Sequence, residues 1–258
     1  MKETRLLWDM PITIEIVDES VDKKAFQSVF DYFKHVDTLF NTFNASSEIS
    51  RINRGEIQEE KWSQEVKEVI KLCEQTKQNT RGYFNHRKGT YIDPLGIVKG
   101  WAMQQAADSL IKKGYKNFYI DAGGDIQTQG RTDSGDLWSV GIRNPFNCAE
   151  NVKILSLTDC GIATSGTYIR GNHIYNPLDD STIFDIVSLT VIGPNVYEAD
   201  RYATAAFAMG KRGIYFIEQL SEFEAYVVDS KKNATYTSGF EQYVKKTSHA
   251  SSRINQTI

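Results

Sequence analysis

The sequence predicts an α+β fold in which mixed, largely antiparallel sheets and flanking helices form one two-lobed unit. The first observation is that apolar residues recur at helical spacing in the first half of the chain. The second is that short β-like runs dominate from about residue 117 onward. Helices and strands are therefore grouped and do not alternate along the chain, which is typical of α+β proteins.

The helices are predicted from the period of their apolar residues. Residues 23–43 carry an aromatic stripe at helical spacing, which indicates an amphipathic helix with its stripe in the core. Residues 64–80 predict a second helix. Residues 99–113 predict a third, which Gly114 ends as a C-terminal glycine. Residues 199–211 predict a further helix within the β-rich half.

The strands are predicted from alternation and from turn residues. Residues 6–17 alternate well enough to form one strand, with Ile12, Ile14 and Ile16 on a single face. Residues 117–130 are expected to form a strand, a glycine turn and a second strand. The other β-like runs are LWSVGIR, VKILSLT, GIATSG, DIVSLTVIG and EAYVVD.

The composition is that of an ordinary globular protein. The chain has 258 residues, of which 40% are hydrophobic and 24% charged, so it can bury a substantial core. We predict one domain over residues 1–245 and a polar, frayed tail over residues 246–258. The formal net charge of -3 shows no basic excess, so nucleic acid is not expected as a partner.

The cysteines and the hydropathy of the chain indicate the cellular compartment in which the protein is expected. Three widely spaced cysteines without a CxxC pair argue against a disulfide framework and against structural zinc. The first twenty residues lack the apolar segment of a signal peptide, and no run approaches the ~20 apolar residues of a membrane span. We therefore expect a cytoplasmic location without membrane insertion.

The segment DPLGIVKG, residues 93–100, opens the third predicted helix. A helix N-terminus presents free backbone N–H groups and the positive end of the helix dipole, so it suits an anion. Lys99 opposes that dipole in the first turn, which is reasonable if its ammonium group faces a phosphate. A plain turn with Asp93 as a surface carboxylate is the alternative.

A glycine pair lies between two predicted strands in the segment Asp121-Ala-Gly-Gly-Asp125. Gly123 and Gly124 permit a positive φ or the close approach of a ligand to the backbone. Asp125 can accept hydrogen bonds from sugar or base groups. A hairpin turn without a ligand is the alternative. The chain has neither a GxGxxG motif nor a Walker lysine, so the Rossmann and P-loop binding modes do not apply.

Asp200 and Thr204 are four residues apart in a predicted helix and therefore share one face. Carboxylate and hydroxyl oxygens suit Mg²⁺ or Ca²⁺ and not zinc. Two ligands do not make a site, and Asp200 alternatively acts as an acid at a helix N-terminus. His173, one of four histidines, lies near a proline turn, where a structural role is the alternative to a chemical one.

In this order, these segments resemble the ApbE-type FAD:protein FMN transferases. The resemblance covers about residues 5–215. Because several blocks match in the same order, the resemblance is specific. The blocks are WDMPITIEI, FNTFNASSEISRIN, IDPLGIVKGWAMQQAADSLIKKG, NFYIDAGGDI, IATSGTYIRGNHIYNP and SLTVIGPNVYEADRYATAAFAMG.

The resemblance implies a role for individual residues. Asp200 and Thr204 match the family's side-chain metal ligands, and Gly96 matches a third metal contact. His173 matches the catalytic histidine. The remaining matches are flavin-nucleotide contacts, namely Met10, Asp93, Lys99, Gly123, Gly124, Asp125, Ser165, Gly166 and Tyr168.

The implied reaction is transfer of FMN from FAD, the substrate, to a Thr or Ser hydroxyl of an acceptor protein, with release of AMP. Mg²⁺ held by Asp200 and Thr204 would neutralise charge on the pyrophosphate. His173, neutral near pH 7, would act as the general base. If water took the place of the acceptor, the same site would hydrolyse FAD to FMN and AMP.

The chain also departs from the family pattern. Residues 82–93 form a shorter connection than is usual before the Asp93 block. Neutral residues stand where acids are common, at Asn85, Thr167 and Asn176. Three functions therefore stay open on the sequence: a divergent transferase, a metal-dependent FAD pyrophosphatase, and a flavin-binding protein without catalysis.

Overall fold

The computed structural model describes residues 1–168, 171 and 174–246. The predicted tail over residues 246–258 lies, apart from its first residue, outside the described residues. The helices are α1 (Lys23–Phe40), α2 (Glu48–Asn53), α3 (Gln64–Asn79), α4 (Leu95–Lys112), α5 (Val196–Ala208) and α6 (Gly213–Glu218). The strands are β1 (Lys2–Leu7), β2 (Met10–Ile16), β3 (Arg87–Lys88), β4 (Tyr91–Ile92), β5 (Phe118–Ala122), β6 (Asp125–Gln129), β7 (Trp138–Asn144), β8 (Asn147–Leu157), β9 (Gly161–Gly166), β10 (Tyr175–Asn176), β11 (Ser181–Thr182), β12 (Ile186–Gly193), β13 (Glu224–Asp229) and β14 (Ala234–Tyr236).

One antiparallel sheet of eight strands organises the molecule. Its order is β1-β2-β5-β6-β9-β12-β13-β14, and each neighbouring pair is antiparallel. Three two-stranded sheets accompany it, formed by β3 with β4, β7 with β8, and β10 with β11. The α+β class with largely antiparallel sheets is therefore confirmed.

The helices pack on one face of the large sheet in two adjoining cores. At the β2–β5 end, Ile12, Ile14 and Ile16 are wholly buried in a core shared with α1, α3 and α4. At the β12–β13 end, Leu189 and Val191 pack in a second core with α5 and α6. The contact between α4 and α5 joins the two cores.

The β7–β8 hairpin covers the opposite face of the sheet. Its Val140, Ile142 and Leu155 form a third core with Ile192 and Tyr226 of the sheet. A sheet with both faces covered requires apolar residues on both sides of its central strands, which explains the nearly continuous burial of β12.

The prediction of one strand over residues 6–17 is wrong. The chain turns back at Trp8 and Asp9, whose φ angles are +53° and +56°, so that β1 pairs with β2. The Trp8 indole explains this turn, because its Nε1 donates to the Phe33 carbonyl at 3.1 Å and its ring meets the Phe33 ring edge-on. This contact with α1 is tertiary, so the alternation of the strand does not reveal it.

The predicted helices exist, with shifted ends. Helix α1 ends at Phe40, because the Asn41 side chain accepts a hydrogen bond from the Phe43 N–H and closes a turn. Helix α4 begins at Leu95, four residues earlier than predicted, and Gly114 follows it with φ +93°. Helix α5 is Val196–Ala208, three residues earlier than the predicted 199–211. None of the helices in the described ranges is long and apolar enough to cross a membrane.

Candidate active site

Helices α4 and α5 approach each other through two glycines of α4. A methyl group on Gly100 would come within 2.7 Å of Asp200 Cβ and 3.0 Å of the Val196 carbonyl oxygen. A methyl group on Gly96 would lie 3.6 Å from Thr204 Cγ2 and 2.9 Å from the Phe84 ring. The glycines repeat every four residues, as do Asp200 and Thr204, so one face of each helix meets the other.

Polar contacts accompany this close approach. The Gly100 N–H donates to Asp200 Oδ2 at 2.9 Å. The Thr204 hydroxyl donates to the Gly96 carbonyl oxygen at 3.4 Å. The structure therefore brings together the three residues predicted to contact a metal, Gly96, Asp200 and Thr204. The sequence did not single out Gly100, although its spacing of four from Gly96 was available as a signal.

Asp200 does not cap the helix. Asn195 occupies the N-cap position, and its side chain accepts from the Glu198 N–H at 2.9 Å. The Gln127 side chain accepts from the Val196 N–H at 2.8 Å. Since other side chains satisfy the helix start, the alternative interpretation of Asp200 as an N-terminal helix acid is wrong.

The surroundings of Asp200 disfavour its charge. Burial raises the pKa of its carboxyl group, and the neighbouring Asp125 carboxyl raises it further. The Lys99 charge and the Gly100 N–H hydrogen bond act against this increase in pKa. A buried carboxylate in this position is expected to gain from a bound cation.

Lys99 connects α4 to the glycine turn. Its ammonium group lies 2.5 Å from Asp125 Oδ2, and Asp125 Oδ1 accepts from the Thr164 N–H at 3.0 Å. Asp125 is buried, whereas the Lys99 side chain is 23% exposed. The predicted nucleotide contacts Lys99 and Asp125 therefore meet each other beside Asp200.

The glycine turn between β5 and β6 has the predicted conformation. Gly123 and Gly124 have φ angles of +64° and +101°, which L side chains rarely adopt. The Asp121 carboxylate accepts from the Gly124 N–H at 2.8 Å. Met10 packs over the turn, since its Sδ would lie 2.9 Å from a methyl group on Gly123. Met10 is thereby placed beside the glycines, and its contact with a flavin nucleotide stays a prediction.

The segment Ser165-Gly166-Thr167-Tyr168 begins at the end of β9. Ser165 is buried and alternates with Gly166, so it shares the α5-facing side of the strand with Ala163. The Tyr168 ring covers Gly166, where a methyl group would be 2.8 Å from Tyr168 Cε1. His173, the predicted catalytic base, lies outside the described residues.

Asp93 occupies the turn before α4. Its Oδ1 accepts from the Leu95 N–H at 3.1 Å, so it shapes the start of the helix. Asn53 fixes the preceding strand: its side chain donates to the Ile92 carbonyl oxygen and accepts from the Ile92 N–H, each at 2.8 Å. Asn53 is the last residue of the FNTFNASSEISRIN block, but a lone asparagine at a helix end gave no chemical reason to select it.

The three neutral positions make local hydrogen bonds. Asn85 Nδ2 donates to the Arg87 carbonyl oxygen at 2.8 Å, and Asn176 Oδ1 accepts from the Leu178 N–H at 3.1 Å. The Thr167 N–H donates to the Val187 carbonyl oxygen at 3.1 Å. The shortened connection of residues 82–93 contains the β3–β4 hairpin, which leads directly into α4.

The oxygen atoms at the helix crossing fit a hard divalent cation. They comprise one carboxylate, one hydroxyl and one backbone carbonyl, which are ligand types that Mg²⁺ and Ca²⁺ accept. The described part of the chain contains no cluster of three or more His, Cys, Asp or Glu side chains that could hold a metal.

Two curated relatives are similar over part of their length. A protein of Vibrio cholerae named FAD:protein FMN transferase is 33% identical over 139 residues, which are 50% of this chain and 42% of that protein. A protein of Haemophilus influenzae with the same name is 25% identical over 168 residues, 61% of this chain and 49% of that protein. The chain therefore spans about half the length of these relatives.

A solved structure matches the fold of this chain, and a family model matches its sequence. The solved structure of the flavin transferase ApbE from Vibrio cholerae superposes with a TM-score of 0.81, covering 94% of this chain and 98% of that one. At 20% sequence identity, this likeness concerns the fold. A sequence model of the ApbE family matches residues 8–90 and 85–227, which include the α4–α5 crossing and the glycine turn. The chain belongs to the ApbE family.

Proposed function

We propose that this chain transfers FMN from FAD to a Thr or Ser hydroxyl of an acceptor protein, with release of AMP and with Mg²⁺ as the metal. The names of the curated relatives support flavin transfer to proteins as the activity. The assembly of Gly96, Asp200 and Thr204 at the α4–α5 crossing carries the proposal for this chain, because it brings together three oxygen-bearing groups close to Lys99, whose charge acts on Asp200.

Each group at the crossing has a defined task in this proposal. The Asp200 carboxylate, the Thr204 hydroxyl and the Gly96 carbonyl oxygen would hold Mg²⁺, which would supply positive charge against the pyrophosphate. The Gly100 N–H holds the Asp200 carboxylate in orientation. Lys99, oriented by Asp125, adds a second positive charge at the same place.

The reaction exchanges one phosphorus–oxygen bond for another. The acceptor hydroxyl oxygen bonds to the phosphorus of the FMN half, and the bond from that phosphorus to the bridging oxygen breaks. AMP leaves with the bridging oxygen and its electron pair. His173 takes the hydroxyl proton, a role that rests on the sequence resemblance alone.

Asp200→Asn tests the proposal with little change in shape. The purified chain is incubated with FAD and Mg²⁺, with and without an acceptor peptide that contains Thr and Ser, and AMP and FMN are quantified. We expect metal-dependent AMP release by the native chain and a loss of at least about a hundredfold in Asp200→Asn. Asp133→Asn, a carboxylate in an exposed loop, is the matched control and is expected to retain full activity.

The products separate the candidate functions. Flavin bound to the acceptor peptide supports the transferase. Free FMN and AMP without modified peptide support the FAD pyrophosphatase instead. Bound FAD without AMP release under any Mg²⁺ concentration would refute both enzymatic functions and leave flavin binding alone.

A further inference from the structure

The first residue of α5 is held by two neighbouring strands of the large sheet. The Val196 N–H donates to Gln127 Oε1 of β6 at 2.8 Å. A methyl group on Gly161 of β9 would overlap the Val196 nitrogen and the Asn195 carbonyl carbon. Gln127 and Gly161 are direct partners in the pairing of β6 with β9, so both contacts lie at one place in the sheet. The start of α5 therefore rests on bare backbone of β9 and is hydrogen-bonded from β6.

Gln127 is a buried polar residue on the helix-facing side of the sheet. The preceding Ile126 packs in the core under the β7–β8 hairpin, on the opposite face. A buried amide costs free energy unless its donor and acceptor both find partners. The Gln127 amide meets this condition, because Nε2 donates to the Thr128 carbonyl oxygen at 3.0 Å while Oε1 accepts from α5. The amide is therefore held in one orientation, with its oxygen toward the helix.

The hydrogen bond from Val196 connects α5 to a different element. An N–H group in the first turn of a helix has no partner within the helix. Asn195, the N-cap residue, accepts from the Glu198 N–H and moves with the helix, because it is continuous with it. Gln127 belongs to a strand 69 residues earlier in the chain. Its hydrogen bond therefore fixes where α5 lies relative to the sheet.

The position of Val196 affects the candidate metal site directly. Val196 lies one helical turn before Asp200 and two turns before Thr204. Its carbonyl oxygen would be 3.0 Å from a methyl group on Gly100, so it belongs to the α4–α5 crossing. The Thr204 hydroxyl reaches the Gly96 carbonyl oxygen at 3.4 Å, which is long for a hydroxyl donor. A small shift of α5 along its axis would therefore separate these two oxygens.

We propose that Gln127 is a positioning residue of the metal site, and that Gly161 provides the space in which it acts. Through the Val196 N–H, Gln127 sets the axial position of α5 and with it the place of Asp200 and Thr204 beside α4. This inference rests on the proposed function, because it requires those two residues to bind Mg²⁺. Residues that orient metal ligands without touching the metal commonly change metal affinity about 10–100-fold when they are replaced.

Binding of Mg²⁺ tests the inference without catalysis. MgCl₂ is titrated by calorimetry into the purified full chain, into Gln127→Met and into Gln127→Glu. Gln127→Met keeps the length of the side chain and removes the acceptor, so we expect the Kd for Mg²⁺ to rise about tenfold or more. Gln127→Glu keeps an oxygen that accepts from the Val196 N–H, so its Kd should lie closer to that of the native chain. The Mg²⁺ concentration for half-maximal AMP release should follow the same order, and excess Mg²⁺ should restore most of the rate in Gln127→Met.

Thr128→Val is the matched control for a loss of stability alone. Thr128 is the next residue of β6 and is wholly buried, and the hydrogen-bond partners of its hydroxyl are atoms of Cys160. Its replacement is expected to lower the free energy of unfolding, measured with urea, and to leave the Kd for Mg²⁺ unchanged. Should Gln127→Met not fold, Gln127→Asn takes its place with the same expected Kd, because its amide is one methylene too short to reach α5.

The outcomes distinguish this inference from the proposed function. An unchanged Kd for Mg²⁺ in Gln127→Met would overturn the positioning role and leave the transferase proposal intact. An equal rise of the Kd in Thr128→Val would also overturn it, because a loosened sheet would then explain the effect. Absence of Mg²⁺ binding by the native chain would overturn the inference together with the proposed metal. Absence of AMP release with Mg²⁺ bound would overturn the proposed reaction alone, and the change in Kd would still decide the role of Gln127.

Discussion

Two regions next to helix α4 differ in whether their buried polar groups are hydrogen-bonded. On the α5 side, glycines bring the backbone against Asp200, whose Oδ2 accepts from a backbone N–H. In the connection of residues 82–93, which precedes α4, His86 is buried, and neither of its ring nitrogens has a hydrogen-bond partner among the described residues. The nearest acid is Glu74, with Oε1 3.4 Å from His86 Nε2.

The two regions have different tasks. In the proposed function the α4–α5 crossing holds the oxygen ligands of a metal, and its contacts through the helix backbone leave little space for adjustment. The connection only has to deliver the chain to α4, through the hydrogen bond from the Asp93 N–H to the His86 carbonyl oxygen at 2.8 Å. We infer that changes at the crossing reduce activity first, whereas changes at His86 alter mainly stability.

After Asp200→Asn, Gly100→Ala should have the largest effect. The new methyl group would lie 2.7 Å from Asp200 Cβ and 3.0 Å from the Val196 carbonyl oxygen, so the helices must separate. We expect AMP release to fall at least about tenfold and the free energy of unfolding to fall by about 1–3 kcal/mol. The higher helix propensity of alanine offsets part of this loss, by about 1 kcal/mol.

Gly96→Ala is the comparison variant for Gly100→Ala. Its methyl group would meet the edge of the Phe84 ring at 2.9 Å, and a side chain can move where a backbone carbonyl cannot. A smaller loss of activity is therefore expected. If Gly100→Ala proved as stable and active as the native chain, the crossing would be looser than its distances indicate.

Thr204→Val should have an intermediate effect. It keeps the shape of the side chain and removes the hydroxyl that contacts the Gly96 carbonyl oxygen. We expect the Mg²⁺ concentration for half-maximal AMP release to rise about tenfold, while the free energy of unfolding changes by less than about 1 kcal/mol. Thr204→Ser, which retains the hydroxyl, should behave like the native chain. An unchanged Mg²⁺ requirement in Thr204→Val would remove Thr204 from the ligand set.

His86 should have the smallest effect, visible as a pH dependence of stability. Burial lowers the pKa of its imidazole to about 4, against about 6.5 in an unfolded chain. Between these values the unfolded chain binds a proton that the folded chain does not, so stability falls as the pH falls. From pH 7.5 to pH 5.5, His86 should account for a loss of roughly 1 kcal/mol in the free energy of unfolding.

Urea unfolding of His86→Gln at these two pH values measures this contribution. The variant should lose less stability on acidification than the native chain by that amount. His35→Gln is the matched control, because His35 is half-exposed and contacts Glu65 at the surface. An identical pH dependence of His86→Gln and the native chain would show that the imidazole is protonated in the folded state as readily as in the unfolded one.

The local elements were largely predictable. The aromatic stripe of α1 and the glycines at the β5–β6 turn depend on period and on φ, which act within a few residues. The ends of the helices were less predictable, because capping side chains that are not part of the apolar pattern determine them, as Asn195 does at the start of α5. The hairpin at Trp8 was missed because a contact with Phe33 on a different element stabilises it.

The sequence by itself determined that Asp200 and Thr204 share a helix face, that Gly123 and Gly124 form a turn, and to which family the blocks correspond. Only the tertiary structure decided that Gly100, a hundred residues before Asp200, donates to its carboxylate. The physical reason is range. The spacing of apolar residues and the backbone angles depend on neighbours in the sequence. The α4–α5 crossing, in contrast, forms where distant segments pack so closely that a methyl group on Gly100 would not fit.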